Sequence, residues 1–379
     1  MRRFLFAAAT VMFPSLAAGQ GNISTQGLGY PAGDLSARSS ALGGGNAELD
    51  AQSTVNDASI ANWVTPVLWV QYQPEYRKVT LGNSSSSTLT ARFPVIGTAM
   101  GIGSRAAIGL SATNFLDRSA SAVTSLNDTI AGEPVTGTET FRTLGGINDI
   151  RFAAAYRPSG FLRVGVAGHA FTGQNRIVSN VDFGDSSSFI PLSQQSVLAY
   201  TGTAVSGGFE LRIRRIVSLS ASARKGGFLN MRSGDSLIAA ARVPDRFGGS
   251  VQFSGISGLT VAGRVSRDLW TALQPLGTNM TTFDSWDGGV GAEATASRSG
   301  TRILSVRLGA RYRGLPFGVQ GVQAHEFSFG GGLGLQFSRD RAQLDAGINR
   351  ASRFTGTFND RGAAVERAFL VSIGMRVRP

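Results

Sequence analysis

Leu304-Ser305-Val306-Arg307-Leu308-Gly309-Ala310-Arg311-Tyr312-Arg313 is the stretch that decides the fold. On an extended chain, Leu304, Val306, Leu308, Ala310 and Tyr312 point one way, and Ser305, Arg307, Gly309, Arg311 and Arg313 point the other. A period of two is the signature of a strand with one apolar and one polar face. The pattern recurs along the chain. Phe369, Val371, Ile373, Met375 and Val377 alternate with Leu370, Ser372, Gly374, Arg376 and Arg378. Leu162, Val164, Val166 and Ala170 alternate with Arg163, Gly165, Ala167 and His169. Such segments number about fourteen from Pro66 to the C-terminus, and few helical patterns interrupt them.

The links between segments alternate in length. Arg157 to Gly160, Gly255 to Ser257, Arg298 to Gly300 and Ser338 to Asp340 are short. Pro74 to Ser86, Arg118 to Thr140, Asn175 to Gln195, Gly227 to Asp245 and Arg353 to Glu366 are long. Short turns on one rim, long loops on the other and an even strand count mark an outer-membrane barrel. A soluble β-sandwich, the competing reading, has no reason to keep that asymmetry. Closure is required because hydrocarbon cannot hydrogen-bond a free strand edge. The predicted fold is therefore all-β, a closed antiparallel transmembrane barrel of about fourteen strands over residues 66–379, with an N-terminal plug over 20–65. The Leu/Val/Phe/Ile face should meet lipid and the Gly/Ser/Arg face should line the lumen. Trp69, Tyr72, Tyr156, Trp270, Trp286 and Tyr312 are expected in the interfacial girdles.

Composition agrees. Of 379 residues, 16% are charged and 50 are glycine, against roughly 25% and 7% in soluble domains. There is no cysteine, which excludes disulfides, thiolate metal sites and a lipoprotein anchor. Two histidines make a multi-His metal centre implausible, so neither a metal nor a cofactor is expected. Net charge is +12, carried almost wholly by arginine. In an exported barrel that charge suits anionic headgroups at the rims rather than nucleic acid. Export is signalled by Met1-Arg2-Arg3, an apolar run of about ten residues from Phe4 to Phe13, and small residues up to Gly19. Residues 1–19 read as a cleaved signal peptide.

Residues Gly21 to Thr65 show no alternation. Ser36 to Leu49 can form a short helix broken at Gly43, Gly44 and Gly45, and Asn56 to Trp63 leads into the barrel. This ARSSALGGGNAELDAQSTVNDASIANW segment, ahead of about fourteen strands, resembles the FadL-type and PorV/PorQ-like outer-membrane proteins. The stretches INDIRFAAAYRPSGFLRVGVAG (147–168) and VPDRFGGSVQFSGISGLTVAGRVSRD (243–268) are similar to that group as well. The resemblance implies a hatch formed by Leu42, Gly43, Gly44, Gly45, Asn46, Asn56, Asp57, Asn62 and Trp63, folded back into the lumen. It implies passage of small hydrophobic solutes through a plugged, monomeric barrel. The PorV-like alternative is a scaffold that binds secreted proteins. Two departures stand out: Asn62 is followed by Trp63-Val64-Thr65-Pro66, and the chain ends Arg376-Val377-Arg378-Pro379 rather than in an aromatic residue.

Arg163, His169, Arg264, Arg307 and Arg311 are the expected lumen-lining residues. With Arg92, Arg151, Glu210, Arg212, Glu293, Asp345 and Arg376 they form either an anion-attracting wall or, the favoured reading, a set of charges paired across strands and with the plug. A hydrolase would need a serine beside His169 or His325, and neither histidine lies in a nucleophile motif. No catalytic residue is expected.

Overall fold

The computed structural model describes residues 28–379 except 34, 82–83, 131–132, 184–189, 215, 278–280, 301, 320, 339 and 357–363. The expected signal peptide and its cleavage region lie outside the described residues.

Seventeen strand segments follow the N-terminal part. They are β1 (Val67–Leu81), β2 (Ser84–Arg92), β3 (Val95–Ile102), β4 (Ala106–Asp117), β5 (Ala120–Ile130) and β6 (Glu133–Tyr156). Next come β7 (Leu162–Asp182), β8 (Leu192–Ile213), β9 (Val217–Ser233), β10 (Ser236–Arg242), β11 (Arg246–Ile256) and β12 (Leu259–Asp268). The last are β13 (Ser285–Ser299), β14 (Arg302–Val319), β15 (Val322–Phe337), β16 (Ala342–Thr355) and β17 (Ala364–Val377). Three staves are interrupted: β2 and β3 both pair with β1, β4 and β5 both pair with β6, and β10 and β11 both pair with β9. The segments therefore make fourteen antiparallel staves. The ring closes where Leu68 to Leu81 of β1 run against Val377 to Ala364 of β17.

The alternation read from the sequence sets the two faces. Val166, Leu308, Val290, Phe152 and Ile348 are all more than half exposed on the exterior. Between them in sequence, Arg163, His169, Ser305, Arg307 and Arg313 are buried. A continuous apolar exterior of this extent is costly in water, and it is what a barrel solvated by hydrocarbon requires.

The rims differ from the expectation. The links at 103–105, 157–161, 214–216, 257–258, 300–301 and 338–341 are short, and several turn through positive φ, at Gly103, Arg214, Gly258, Gly300, Ser338 and Asp340. On the opposite rim most stretches read as loops are strand. β1 runs on through Pro74 to Leu81, and β6, β7 and β8 reach 24, 21 and 22 residues, about twice a bilayer crossing. Beyond the lipid the outer face of a hairpin meets water, so these segments need no apolar alternation. Among the described residues of these links, only Trp270–Leu276 is helical, as 3₁₀ turns.

Two predicted girdle aromatics are misplaced. Tyr72, Tyr156, Trp286 and Tyr312 are exposed on the exterior, but Trp69 and Trp270 are 1% and 4% exposed. Trp69 points inward over Gly97, where any added Cβ would strike its indole. Trp270 folds into the lumen with the loop that carries it.

The wall also has a seam. Above Val95, which pairs with Thr113, β2 turns away to pair only with β1, and β5 pairs only with β6. The edge that β4 loses is taken up from inside. Tyr30 and Asp117 exchange both backbone hydrogen bonds at 2.8 Å, and Gly33 bridges Asn114.

Candidate functional site: the lumen and the segment within it

The described residues from Leu28 to Trp63 lie inside the ring. Ser36 caps the five-residue helix Ala37–Ala41, its Oγ accepting from the Ser39 N–H at 2.9 Å. The helix continues into tight turns rather than a second helical half. Asp50 gathers the hydroxyls of Ser36, Ser39 and Ser53, which braces these turns without a large apolar core of their own.

Glycines of the wall make room for this segment. A Cβ at Gly374 would stand 3.0 Å from the Ala37 Cβ, and one at Gly332 would stand 2.8 Å from the Ala41 Cβ. Backbone meets backbone further on, where Leu42 and Gly43 press on Gly289, Gly291 and Gly309. Gly43 itself has φ 61° and would collide with Ala310 if it carried a side chain. The lumen-face glycines are thus a seat cut for this segment.

The second half is held by polar contacts. Asn56 caps the 3₁₀ helix Asp57–Asn62 and donates to the Phe209 carbonyl at 3.1 Å. Asp57 lies 3.1 Å from Arg151. Asn62 donates to Glu210 at 3.2 Å and accepts from Arg212 at 2.8 Å. Trp63 lies under the guanidinium groups of Arg376 and Arg378, at 5.2 and 4.6 Å. Near the three glycines, Gly45 lies against Ala262 and Gly291, Gly44 approaches Arg264, and Asn46 accepts from Ser39 at 2.9 Å.

The remaining lumen arginines are largely paired. Arg264 bonds Asp287 at 3.2 Å and Glu48 at 3.4 Å. Arg307 spans Glu293 at 2.5 Å and Asp345 at 2.6 Å, while Arg311 grips Asp287 at 2.8 and 2.6 Å. Arg38 of the inner segment takes the other side of Glu293 at 2.7 Å. Arg163 is the looser member, 3.3 Å from Glu210.

A larger cluster surrounds Tyr30. Arg77, Arg92, Arg313 and Arg353 face its ring at 4.3–5.5 Å, and Glu75, Asp117, Glu326 and Glu366 pair with them. The Tyr30 hydroxyl donates to Glu326 at 2.7 Å and accepts from Arg353 at 2.7 Å. Burial pushes this phenol well above its usual range, so it stays a donor. Four positive and four negative side chains balance, as buried charge must. Arg92 was among the predicted lumen charges and Arg313 lay on the face read as inward, whereas Glu75, Arg77 and Glu366 fall in stretches read as loops. Their signal was the alternation of Glu75 and Arg77 on the same inward parity as Gln71 and Gln73.

His169 is buried on the inward face of β7, and its setting bears on catalysis. Its Nδ1 lies 2.9 Å from Asp149 and its Nε2 lies 2.8 Å from Ser206 Oγ, the order of a Ser–His–Asp relay. However, Ser206 donates its one hydrogen to Asp57 at 2.6 Å, which leaves none for the histidine to accept. The backbone N–H groups around it are spent in the ladder, so no oxyanion hole forms. The chain of contacts ties Asp57 to three neighbouring staves. His325 stacks on Tyr312 at 5.7 Å, far in character from a reacting group. Among the described residues no His/Asp/Glu group could hold a metal.

Beside the Tyr30 cluster the lumen is apolar. Leu28, Leu116, Ile147, Phe171, Tyr200, Leu229, Met231, Trp270, Leu273 and Leu276 form one buried cluster, contributed by the start of the inner segment, β4, β6–β9 and the loop after β12. Phe115 stacks on Trp270 at 5.3 Å and meets Phe171 edge-on at 4.9 Å. Beneath them, beside His169, about 80 Å³ stays free, room for roughly six waters.

The sequence matches no family model and no curated protein. Its backbone is similar to solved structures at low identity. A Pseudomonas aeruginosa FadL homologue aligns at 11% identity and TM-score 0.57, over 94% of this chain and 98% of that one. A mutant of TodX, a monoaromatic hydrocarbon channel, aligns at 11% and 0.61, over 92% and 99%. CymD, another monoaromatic hydrocarbon channel, aligns at 13% and 0.56, over 92% and 97%. By fold, then, this chain is a closed fourteen-stranded antiparallel barrel of the FadL type.

Proposed function

We propose that the protein is an outer-membrane channel for small hydrophobic solutes, working as a monomer, with residues 28–66 as its plug. The observation that carries the reading is the apolar cluster inside the barrel. Inside a lumen that water reaches, Phe171, Leu229, Met231 and Trp270 hold apolar area together, and an apolar molecule can replace some of their contacts in kind. The cluster includes Leu116, on β4 beside the seam, so a solute leaving it meets a wall whose strands are not paired to each other. Leu42 to Asn46 would be the floor of the plug, and Asn56 to Trp63 its attachment to the wall. No step of this passage needs bond chemistry, a metal or a cofactor.

The test is uptake of radiolabelled toluene and of a hydrophilic sugar of similar mass by vesicles holding the purified barrel. Wild type should admit toluene in preference to the sugar, and Met231→Arg should remove that preference while the barrel stays folded. Equal rates for both solutes in wild type would refute the reading. A co-purifying exported protein, together with no solute flux, would replace it with the scaffold alternative.

A further inference from the structure

We infer that the short-turn mouth of the barrel holds a binding site for a small hydrophilic monocarboxylate. The inference does not depend on what passes through the apolar cluster above. Beneath the plug a vestibule of about 700 Å³ opens at this rim, bounded by Arg38 and Asn46 of the plug and by Arg163, Glu210, Arg212 and Gln252 of the wall.

The charge there does not close. Glu210 is the carboxylate shared by Arg163 and Arg212, and it is already committed. Arg212 Nε donates to its Oε1 at 2.6 Å, and Asn62 Nδ2 donates to its Oε2 at 3.2 Å. Arg163 is left with a long contact of 3.3 Å to the crowded Oε1. Elsewhere in the lumen Arg264, Arg307 and Arg311 each have a carboxylate within 3.2 Å.

Arg163 is also the buried member. Its side chain is 4% exposed, and its Nε–H has no hydrogen-bond partner among the described residues. A guanidinium donor withdrawn from water and left unpaired is costly, and a fork of two N–H groups fits a carboxylate edge-on. Arg163, Arg212 and Arg214 line the vestibule with Glu210 as the carboxylate among them, so positive charge is in excess and an anion fits. The planar fork of Arg163 is matched by the two coplanar oxygens of a carboxylate. The rest of the lining is more polar than apolar, with Asn46, Ser218, Gln252 and Ser254 beside Leu49 and Gly160, so the occupant is hydrophilic beyond its carboxylate. An anion held here would bridge the underside of the plug and the wall formed by β7 and β8.

The full-length protein, purified in detergent and labelled with ¹⁵N-arginine, reports the site directly. One slowly exchanging Nε–H resonance should vanish in Arg163→Gln, which assigns it. Titration with sodium acetate should shift that resonance saturably at millimolar concentration, over a sodium chloride background that leaves it still. Arg212→Gln, which keeps the reporter, should weaken acetate about tenfold. Acetamide, of the same shape without the charge, should do nothing. The remaining Nε–H signals of Arg163→Gln serve as the check on folding. No saturable shift with acetate, or an equal shift with acetamide, overturns the proposal. Octanoate binding tenfold or more tighter than acetate overturns its hydrophilic part, since the site would then hold the head of an amphiphile.

Discussion

The fit between the plug helix and the glycine wall can be measured at one contact. Gly374 faces Ala37 across the plug–wall boundary, and an added Cβ would meet the Ala37 Cβ at 3.0 Å, with Asp345 and Gln71 next at 3.8 Å. Gly374→Ala therefore collides with the plug and with little else. Overpacking by one methyl group typically costs about 1–3 kcal/mol. If that cost falls on the seated plug alone, the unseated population rises about five- to 150-fold, since 1.4 kcal/mol is a factor of ten. Ala37→Gly removes the opposing methyl group and costs about 1 kcal/mol through helix propensity. The double variant should show only that second cost, because the collision needs both methyl groups. Trypsin cleavage after Arg38 reads the unseated population, as the bond is reached only when the helix leaves the wall, and slow cleavage tracks that equilibrium. The expected order of rates is Gly374→Ala fastest, with the double variant equal to Ala37→Gly. Additive effects in the double variant would mean that the two residues do not touch, and the seating described here would be wrong.

Three further outcomes follow from other parts of the lumen. Tyr30→Phe removes a hydroxyl that serves Glu326 and Arg353, and should lower unfolding stability in detergent by about 1.5–3 kcal/mol. Because burial raises the Tyr30 phenol above its ordinary value of 10, its contribution is whole below pH 10 and fades as pH climbs toward the raised value. Tyr30→Phe should abolish that part of the alkaline loss, and an unchanged alkaline slope would count against it. Leu308→Arg places a charge on the exterior face and should cost about 2–4 kcal/mol, seen as a lost heat-modifiable band after insertion into vesicles. Asp57→Asn discharges the partner of Arg151 and of Ser206, and should raise channel conductance in planar bilayers by loosening the attached end of the plug. Unaltered conductance would place the anchor elsewhere.

The barrel was legible because its physics is periodic. Each crossing must show lipid one face and the lumen the other, so Leu304 to Arg313 announces itself. The outer hairpins were not, because β1 beyond Pro74 turns Glu75 and Arg77 inward and Tyr76 and Lys78 outward, with no continuous apolar face to advertise. Trp69 and Trp270 were misread for a related reason: an aromatic near a strand end is girdle or lumen according to parity and loop path, and Tyr72, Tyr156, Trp286 and Tyr312 kept the outward side. The pairing of Arg307 with Glu293 and Asp345 could be expected from inward charges on adjacent strands, whereas its exact partners depend on register. The Tyr30 cluster depends on a segment with no periodicity reaching across the barrel, which no local pattern encodes.

The division of the lumen into a charged half and an apolar half constrains how any solute could pass. Around Tyr30, displacing one member strands a buried charge, a cost of several kcal/mol that an apolar molecule cannot repay. Around Phe171 and Met231, the contacts are dispersion and area burial, which an apolar molecule replaces in kind at little net cost. A hydrophobic solute therefore has one inexpensive route, past the apolar half, and the plug has no need to leave its glycine seat for the solute to move. On the function proposed above, Met231→Arg should stop toluene flux without altering trypsin cleavage after Arg38, and Gly374→Ala should do the reverse. If toluene flux instead rises and falls with that cleavage across both variants, passage requires the plug to unseat, and the apolar half is packing rather than a path.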